Sequence, residues 1–364
     1  MADWATFAVV PEDGDHERYE LYESRFGAVG LDLDLLAGPD VALPFLRAHD
    51  PARHGWRDDV HCEGAVLLDP HRRVLLVFAS DGPTTCMRHR AAALDLLRHA
   101  WPGWQPRWTY DGPAELRAYL GLDPGAVRDP LREVSAGAAL APGDEELAED
   151  DPLATVVTVG AGRCHLVAAT GDHPVAEGPA LLERLDSAPE HGRCELAVLS
   201  GLHIDPANRR VGWWLLGAQA GAYEMASRWP GWTVEFWQDR WQEQTRAAGG
   251  LFVPPPVDHR QALVDVRDEA REHWAGRRGA APRGLTRSGA ADGSGSGRAD
   301  DPGSVAADDP GSVPVGDSRS GAAGSGPLAG TGFLPDVPAD LAPAALLSVD
   351  SAWRRAVREV KGTA

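Results

Sequence analysis

Apolar and polar positions along this chain fall into two series that repeat the same order of periods. The first opens with "ATFAVV" (5–10) and "RYELYESRF" (18–26), both rich in strand-forming residues. "GPDVALPFLRAHD" (38–50) then changes to helical apolar spacing, and Pro44 fits only if it lies in the first turn. "VHCEGAVLLDPHRRVLLVF" (60–78) reads as two strands around Asp69-Pro70, a pair suited to a type I turn. "MRHRAAALDLLRHAW" (87–101) is helical and stops at Pro102-Gly103. A strand, "WQPRWTY", and a short helix closed by Gly121 complete the series.

The second series follows the same plan. Its segments are "ATVVTVG", "RCHLVAAT", "GPALLERLD", "CELAVLSGLHI", "RRVGWWLLG", "AGAYEMASRW", "WTVEFWQ" and "RWQEQTRAAGG". The predicted order in both is β-β-α-β-β-α-β-α. Short connections favour antiparallel pairing, with helices covering one face of each sheet. The fold class expected is therefore α+β, as two homologous tandem domains, each an antiparallel sheet covered by helices.

Direct identity supports the duplication. The motif "WPGW" occurs at 101–104 and 229–232, and an ungapped comparison of 101–121 with 229–249 matches at 7 of 21 positions. Matches include Asp111/Asp239, Glu115/Glu243 and Gly121/Gly249. Upstream, "LLDPHRRVLLVFAS" (67–80) resembles "HIDPANRRVGWWLLG" (203–217), with one inserted residue in the second copy's turn. Pro-Gly would end a helix and begin a strand, and the flanking tryptophans would pack on the sheet. An exposed aromatic platform is the alternative.

This organisation gives a first repeat at 1–134, an acidic linker at 135–151 and a second repeat at 152–252. A helix within 253–278 is expected to dock on the second repeat, with Asp258 and Gln261 forming a capping box and Ala262, Val266, Ala270 and Trp274 on one face. Residues 279–331 are rich in Gly and Ser, lack aromatics and repeat "ADDPGSV", the composition of a disordered linker. Within 332–364, "SVDSAWRRAVREVK" forms a tethered amphipathic helix with Leu347, Trp353, Val357 and Val360 as anchors for a groove on this chain or a partner.

The net charge of −19 opposes polyanions, so nucleic acid and anionic membranes are excluded as expected partners, and basic proteins are favoured. All but one of the 35 basic residues are arginine; the exception is Lys361. That skew fits a GC-rich genome and carries no function. The N-terminus lacks the pattern of a secretory signal, and the longest apolar uncharged run, Val211 to Tyr223, has 13 residues, too short for a bilayer. A cytoplasmic location is expected.

Phosphate-loop, HExxH, GxSxG and CxxC patterns are missing. Cys62, Cys86, Cys164 and Cys194 match no zinc spacing and read as reduced thiols, although His165 and His191 lie near two of them. No metal or cofactor is expected. The densest His/Asp stretch, "RHGWRDDVHCEGAVLLDPHRR", offers His61 as a base oriented by Asp58 or Asp59. His61 and Cys62, as strand neighbours, would face opposite ways. Arg72, Arg73, Arg209 and Arg210 recur at the two hairpin ends. They could grip a carboxylate or phosphate, or pair with Asp111 and Asp239. The leading expectation is a non-catalytic interaction or regulatory protein. The alternative is an enzyme or small-molecule binder whose site, built from 54–73 and 203–210, lies between the repeats.

Overall fold

The computed structural model describes residues 3–142, 154–278 and 341–362. The first half contains β1 (Ala5–Val9), β2 (Glu20–Ser24), α1 (Leu31–Leu35), α2 (Pro39–Arg47), β3 (Asp50–Pro51), β4 (Gly64–Asp69), β5 (Val74–Ala79), α3 (Arg90–Ala100), β6 (Gln105–Trp108) and α4 (Pro113–Tyr119). The second contains β7 (Ala139–Leu140), β8 (Ala154–Val159), β9 (Arg163–Ala168), α5 (Ala180–Asp186), β10 (Ser200–Asp205), β11 (Arg210–Leu215), β12 (Thr233–Phe236) and α6 (Trp241–Ala247). Two long helices follow, α7 (His259–Arg278) and α8 (Leu341–Gly362).

Each half is α+β around one six-stranded sheet, ordered β3-β2-β1-β4-β5-β6 and β7-β9-β8-β10-β11-β12. Five consecutive strands of each sheet correspond one to one, so both halves share one topology. Both sheets are mixed, which corrects the expectation of antiparallel sheets. The hairpins β1/β2, β4/β5, β8/β9 and β10/β11 are antiparallel. But β4 lies parallel to β1 and β6 parallel to β5, as β10 does to β8 and β12 to β11. A helical connection returns the chain to the same end of the sheet, which imposes parallel pairing.

The sixth strands differ in origin. β3 follows α2, whereas β7 comes from the stretch read as an acidic linker. Residues 135–142 thus belong partly to the second sheet; residues 143–153 lie outside the described residues.

Both faces of each sheet are covered, not one. In the first half Phe7, Val66, Leu68, Leu75 and Val77 face α1, α2, α3, α7 and α8, and Leu67, Leu76 and Phe78 meet Leu116 and Leu120 at α4. In the second half Val157, Leu202, Val211 and Trp213 face α5 and the 3-10 helix Ala222–Arg228. Val156, Leu166 and Trp214 meet Phe252 on the other face. That 3-10 turn stands where α3 stands in the first half, and there the second repeat is shorter. Pro44 falls inside α2 rather than in its first turn, which Pro39 begins.

WPGW is built identically in both copies. Trp101 and Trp229 are fully buried, and their Nε1 atoms donate to Leu35 O and Val175 O, each at 2.8 Å. Trp104 and Trp232 meet them edge-on at 4.9 and 5.1 Å. Gly103 and Gly231 take φ of 79° and 78°, the left-handed region that glycine enters without steric cost. One core substitution is compensated. Phe78 and Leu116 of the first half become Trp214 and Gln244 in the second. The Gln244 side chain accepts from Trp214 Nε1 at 2.6 Å and donates to Leu202 O at 2.8 Å, so the buried polar atoms are satisfied.

Helix α7 docks on the first half, against α1 and α3, not on the second. Ala262, Val266, Ala270 and Trp274 are buried as expected. Asp34 in α1, 1% exposed in its side chain, explains the destination, because it pairs with His273 and Arg277 of α7 at 2.7 Å each. Asp258 caps the helix through the N–H groups of Arg260 and Gln261. The Gln261 side chain turns forward to Asp265 rather than closing a capping box. Helix α8 packs on α3 and α7. Residues 279–331, read as a disordered linker, lie outside the described residues.

Candidate functional site

His61 and Asp58 do meet. Asp58 Oδ1 accepts from His61 Nδ1 at 2.8 Å and from the N–H groups of Val60 and His61 at 3.0 Å. Partial burial raises the Asp58 pKa, but these bonds outweigh it and hold the group below the usual range. The pair sits on a turn before β4, with the His61 side chain 65% exposed. Asp59 turns inward to Arg128 and Arg132, so it cannot orient His61. Cys62 faces the core, and burial pushes its thiol up to about 12. The arrangement is a solvated aspartate turn with a histidine attached.

The four arginines occupy two separate hairpin ends. Asp69 pairs across its hairpin with Val74, and Asp205 with Arg210. Both turns therefore have the same length, and the apparent insertion is absent from them. Arg73 corresponds to Arg209. These two share φ of 53° and 50°, and their carbonyls accept from Gln105 N at 2.7 Å and Thr233 N at 2.9 Å, beside the WPGW turns. Arg210 pairs with Glu235, and Arg72 approaches Asp69 at 4.0 Å. Asp111 and Asp239, the partners considered from sequence, bind Arg128 and Arg90 instead. His203, Asp205 and Arg210 line a groove on the second half alone, floored by Trp237 across Gly212. Segments 54–73 and 203–210 thus build no common cleft.

The seam between the halves is built by other residues. The halves and α8 belong to one compact unit. Arg90 is 1% exposed. It donates to Thr84 O, Leu216 O and Asp239, at 2.7, 2.9 and 3.0 Å, with its guanidinium 4.2 Å from the Trp108 ring centre. Trp108 Nε1 donates to Gly217 O, and Gln219 N to Tyr110 O. Arg132 reaches from Asp59 in the first half to Asp172 in the second.

Beside these bonds lies a cavity of 130 Å³. Ser80 and Thr85 line it from the first half; Thr155, Asp172, His173, Ser200 and Gln219 line it from the second. The hydroxyls of Thr155 and Ser200 are 2.7 Å apart. Gln219 is held at both ends, donating to Asp172 and accepting from His173 N, each at 2.9 Å. His173 is 6% exposed, and burial lowers its pKa to about 3. Its Nδ1 accepts from Val175 N, which assigns the ring proton to Nε2, and Nε2 is sealed from solvent beside the backbone of Gly201 and Trp214.

Sequence reading missed these residues because they come from five separated loops and strand ends. Asp172-His173-Pro174, a polar turn ahead of a proline, was the one local signal. Among the described residues no group of three or more His, Cys, Asp or Glu could hold a metal ion, and no helix is long and apolar enough to cross a membrane. No family model, curated protein or solved structure matches this chain.

Proposed function

We propose that the chain is a non-catalytic interaction or regulatory protein of the cytoplasm, and that its working element is helix α8 in a groove formed by α3 and α7. The observation that carries this reading is the chemistry of the α8 contact. Its buried stripe is Leu341, Ala342, Ala345, Val349, Ala352 and Ala356, four of the six alanine, so the centre of the contact is made of small side chains. The anchors expected from sequence contribute less: Leu347 is 69% exposed, and Trp353, Val357 and Val360 are half-buried.

Charged contacts at the rim supply orientation. Arg271 pairs with Asp350, Arg98 and His99 with Glu359, and Arg267 lies over the Trp353 ring at 4.3 Å. Arg355 donates to His99 O near the end of α3. A competing partner helix therefore has a small-residue stripe and carboxylates opposite Arg98 and Arg271. The net charge of −19 favours basic surfaces on the rest of that partner.

Placing a protease site between residues 299 and 313 of the full chain tests this. After cleavage the α8 fragment should separate on gel filtration, leave a folded body, and rebind as a peptide spanning 341–362. Before cleavage the same peptide should bind roughly a hundredfold more weakly or worse, because a tethered helix competes at an effective concentration on the order of millimolar. A fragment that never leaves, or a body that unfolds without it, would make α8 an ordinary core helix.

A further inference from the structure

Independently of α8, the second copy of the fold carries a polar layer that the first lacks. We propose that the groove beside this layer binds a neutral pyranose sugar, stacked on Trp237 and held through its hydroxyls by His203 Nε2–H and two rim ion pairs.

Strand registers fix the correspondence between the copies. Ala8, Leu67, Leu76, Phe78 and Leu116 belong to one apolar cluster of the first half. Their counterparts in the second are Thr158, His203, Gly212, Trp214 and Gln244. Packing alone accounts for the apolar set, and it does not account for the polar one. The polar set is a chain with a direction. Trp214 Nε1 donates to Gln244 Oε1 at 2.6 Å, which fixes the amide, and Gln244 Nε2 donates to Thr158 Oγ1 at 3.1 Å. Leu202 O already accepts from Gln244 at 2.8 Å and lies 3.4 Å from the Thr158 hydroxyl. The Thr158 hydrogen therefore goes to His203 Nδ1, 2.9 Å away, and the ring proton sits on Nε2. Burial lowers the His203 pKa, which keeps the ring neutral. Among the described residues Nε2 has no hydrogen-bond partner, and His203, 8% exposed, lines the groove. A network of this kind orients one N–H toward whatever enters.

The groove has a volume of 400 Å³, within the usual range for small-molecule sites. A Cβ at position 212 would come within 1.8 Å of the Trp237 ring, so glycine is what lets the indole lie against the strand. Trp237 is only half-buried and lines the groove, which offers an aromatic surface to the flat C–H face of a pyranose. On the rim Arg210 pairs with Glu235, and Arg246 with Glu243 at 2.6 Å. Asp205 is turned back into its own hairpin by Asn208 at 2.7 Å. Each rim pair sets a carboxylate acceptor beside a guanidinium donor. Vicinal sugar hydroxyls match that arrangement, one donating and its neighbour accepting, and they leave neither charge without its partner.

Ligand-observed NMR on the full chain tests this with the methyl glycosides of glucose, galactose, mannose and N-acetylglucosamine, and with sorbitol. At least one glycoside should bind in the millimolar range. Sorbitol, which has the hydroxyls but no rigid ring face, should bind about tenfold more weakly or worse. His203→Leu restores the residue type that the first copy has at Leu67, so the variant should fold while glycoside binding falls about tenfold or more. If His203→Leu fails to fold, Glu235→Gln on the exposed rim decides the matter, and it should weaken binding several-fold. A trisaccharide of the best-bound sugar separates the sources. Tighter binding than the monosaccharide assigns the groove to a glycan chain, and equal or weaker binding assigns it to a free sugar. Binding of no glycoside, equal binding of sorbitol, or glycoside binding unchanged in His203→Leu and Glu235→Gln would overturn the proposal.

Discussion

Trp101→Ala and Trp229→Ala should each destabilise the protein by about 3–5 kcal/mol, the usual cost of truncating a fully buried tryptophan. Each ring is sealed inside its half, each Nε1 donates to a buried carbonyl at 2.8 Å, and each supports an edge-on partner tryptophan. The losses should be similar, because the two environments match. Chemical denaturation of the single mutants measures both. Trp104→Ala and Trp232→Ala should cost less, since those rings are only half-buried. Melting of Trp101→Ala and Trp229→Ala within about 0.5 kcal/mol of the parent would instead indicate rings exposed for binding.

Arg90→Met should cost about 3 kcal/mol and uncouple the two halves. The substitution keeps the alkyl packing but leaves Thr84 O, Leu216 O and Asp239 without their donor. Asp239 is 26% exposed, and water recovers part of that loss, so the figure lies at the lower end for a broken buried ion pair. Calorimetry should then resolve two transitions where the parent shows one. Combining Arg90→Met with Asp239→Asn should recover part of the loss, because the unpaired carboxylate is gone. A single transition with an unchanged midpoint would show that the seam is held elsewhere.

The repeat and its order of elements were legible because they depend on local signals: turn chemistry at Asp69 and Asp205, helix stops at Gly103 and Gly231, and strand-length apolar runs. The mixed pairing was not read, since hairpin logic describes β1/β2 and β4/β5 but not the return that lays β4 beside β1. A clue to two-sided burial was present. "VLLVFA" is apolar throughout, as a strand covered on both faces must be. The apparent insertion arose from matching Arg72-Arg73 to Arg209-Arg210 by identity. The hairpin registers instead place the shortening after β11, where a 3-10 turn replaces α3.

Destinations were harder to read than elements. The buried face of α7 was evident from its spacing, but its target depends on Asp34, a carboxylate more than 200 positions earlier in the chain. Of the four α8 anchors, Trp353, Val357 and Val360 pack on the core from the edge of the contact and Leu347 faces solvent, because alanines fill the centre of the stripe. The site residues at the seam carry no motif. Asp172, His173 and Gln219 meet through loops of the second half, and Arg90 and Arg132 reach that half only once the two copies are packed together.

Native-state hydrogen exchange tests the central claim, that α8 is a detachable arm, most directly. The α8 amides should exchange together through one local opening, with a free energy several kcal/mol below that of the amides of β1, β4 and β5. That opening should leave the sheet protected and should respond to loss of the rim pairs in Asp350→Asn and Glu359→Gln. If the α8 amides exchange only with global unfolding, at the same free energy as the central strands, α8 is a fixed part of the core and the proposed function is wrong.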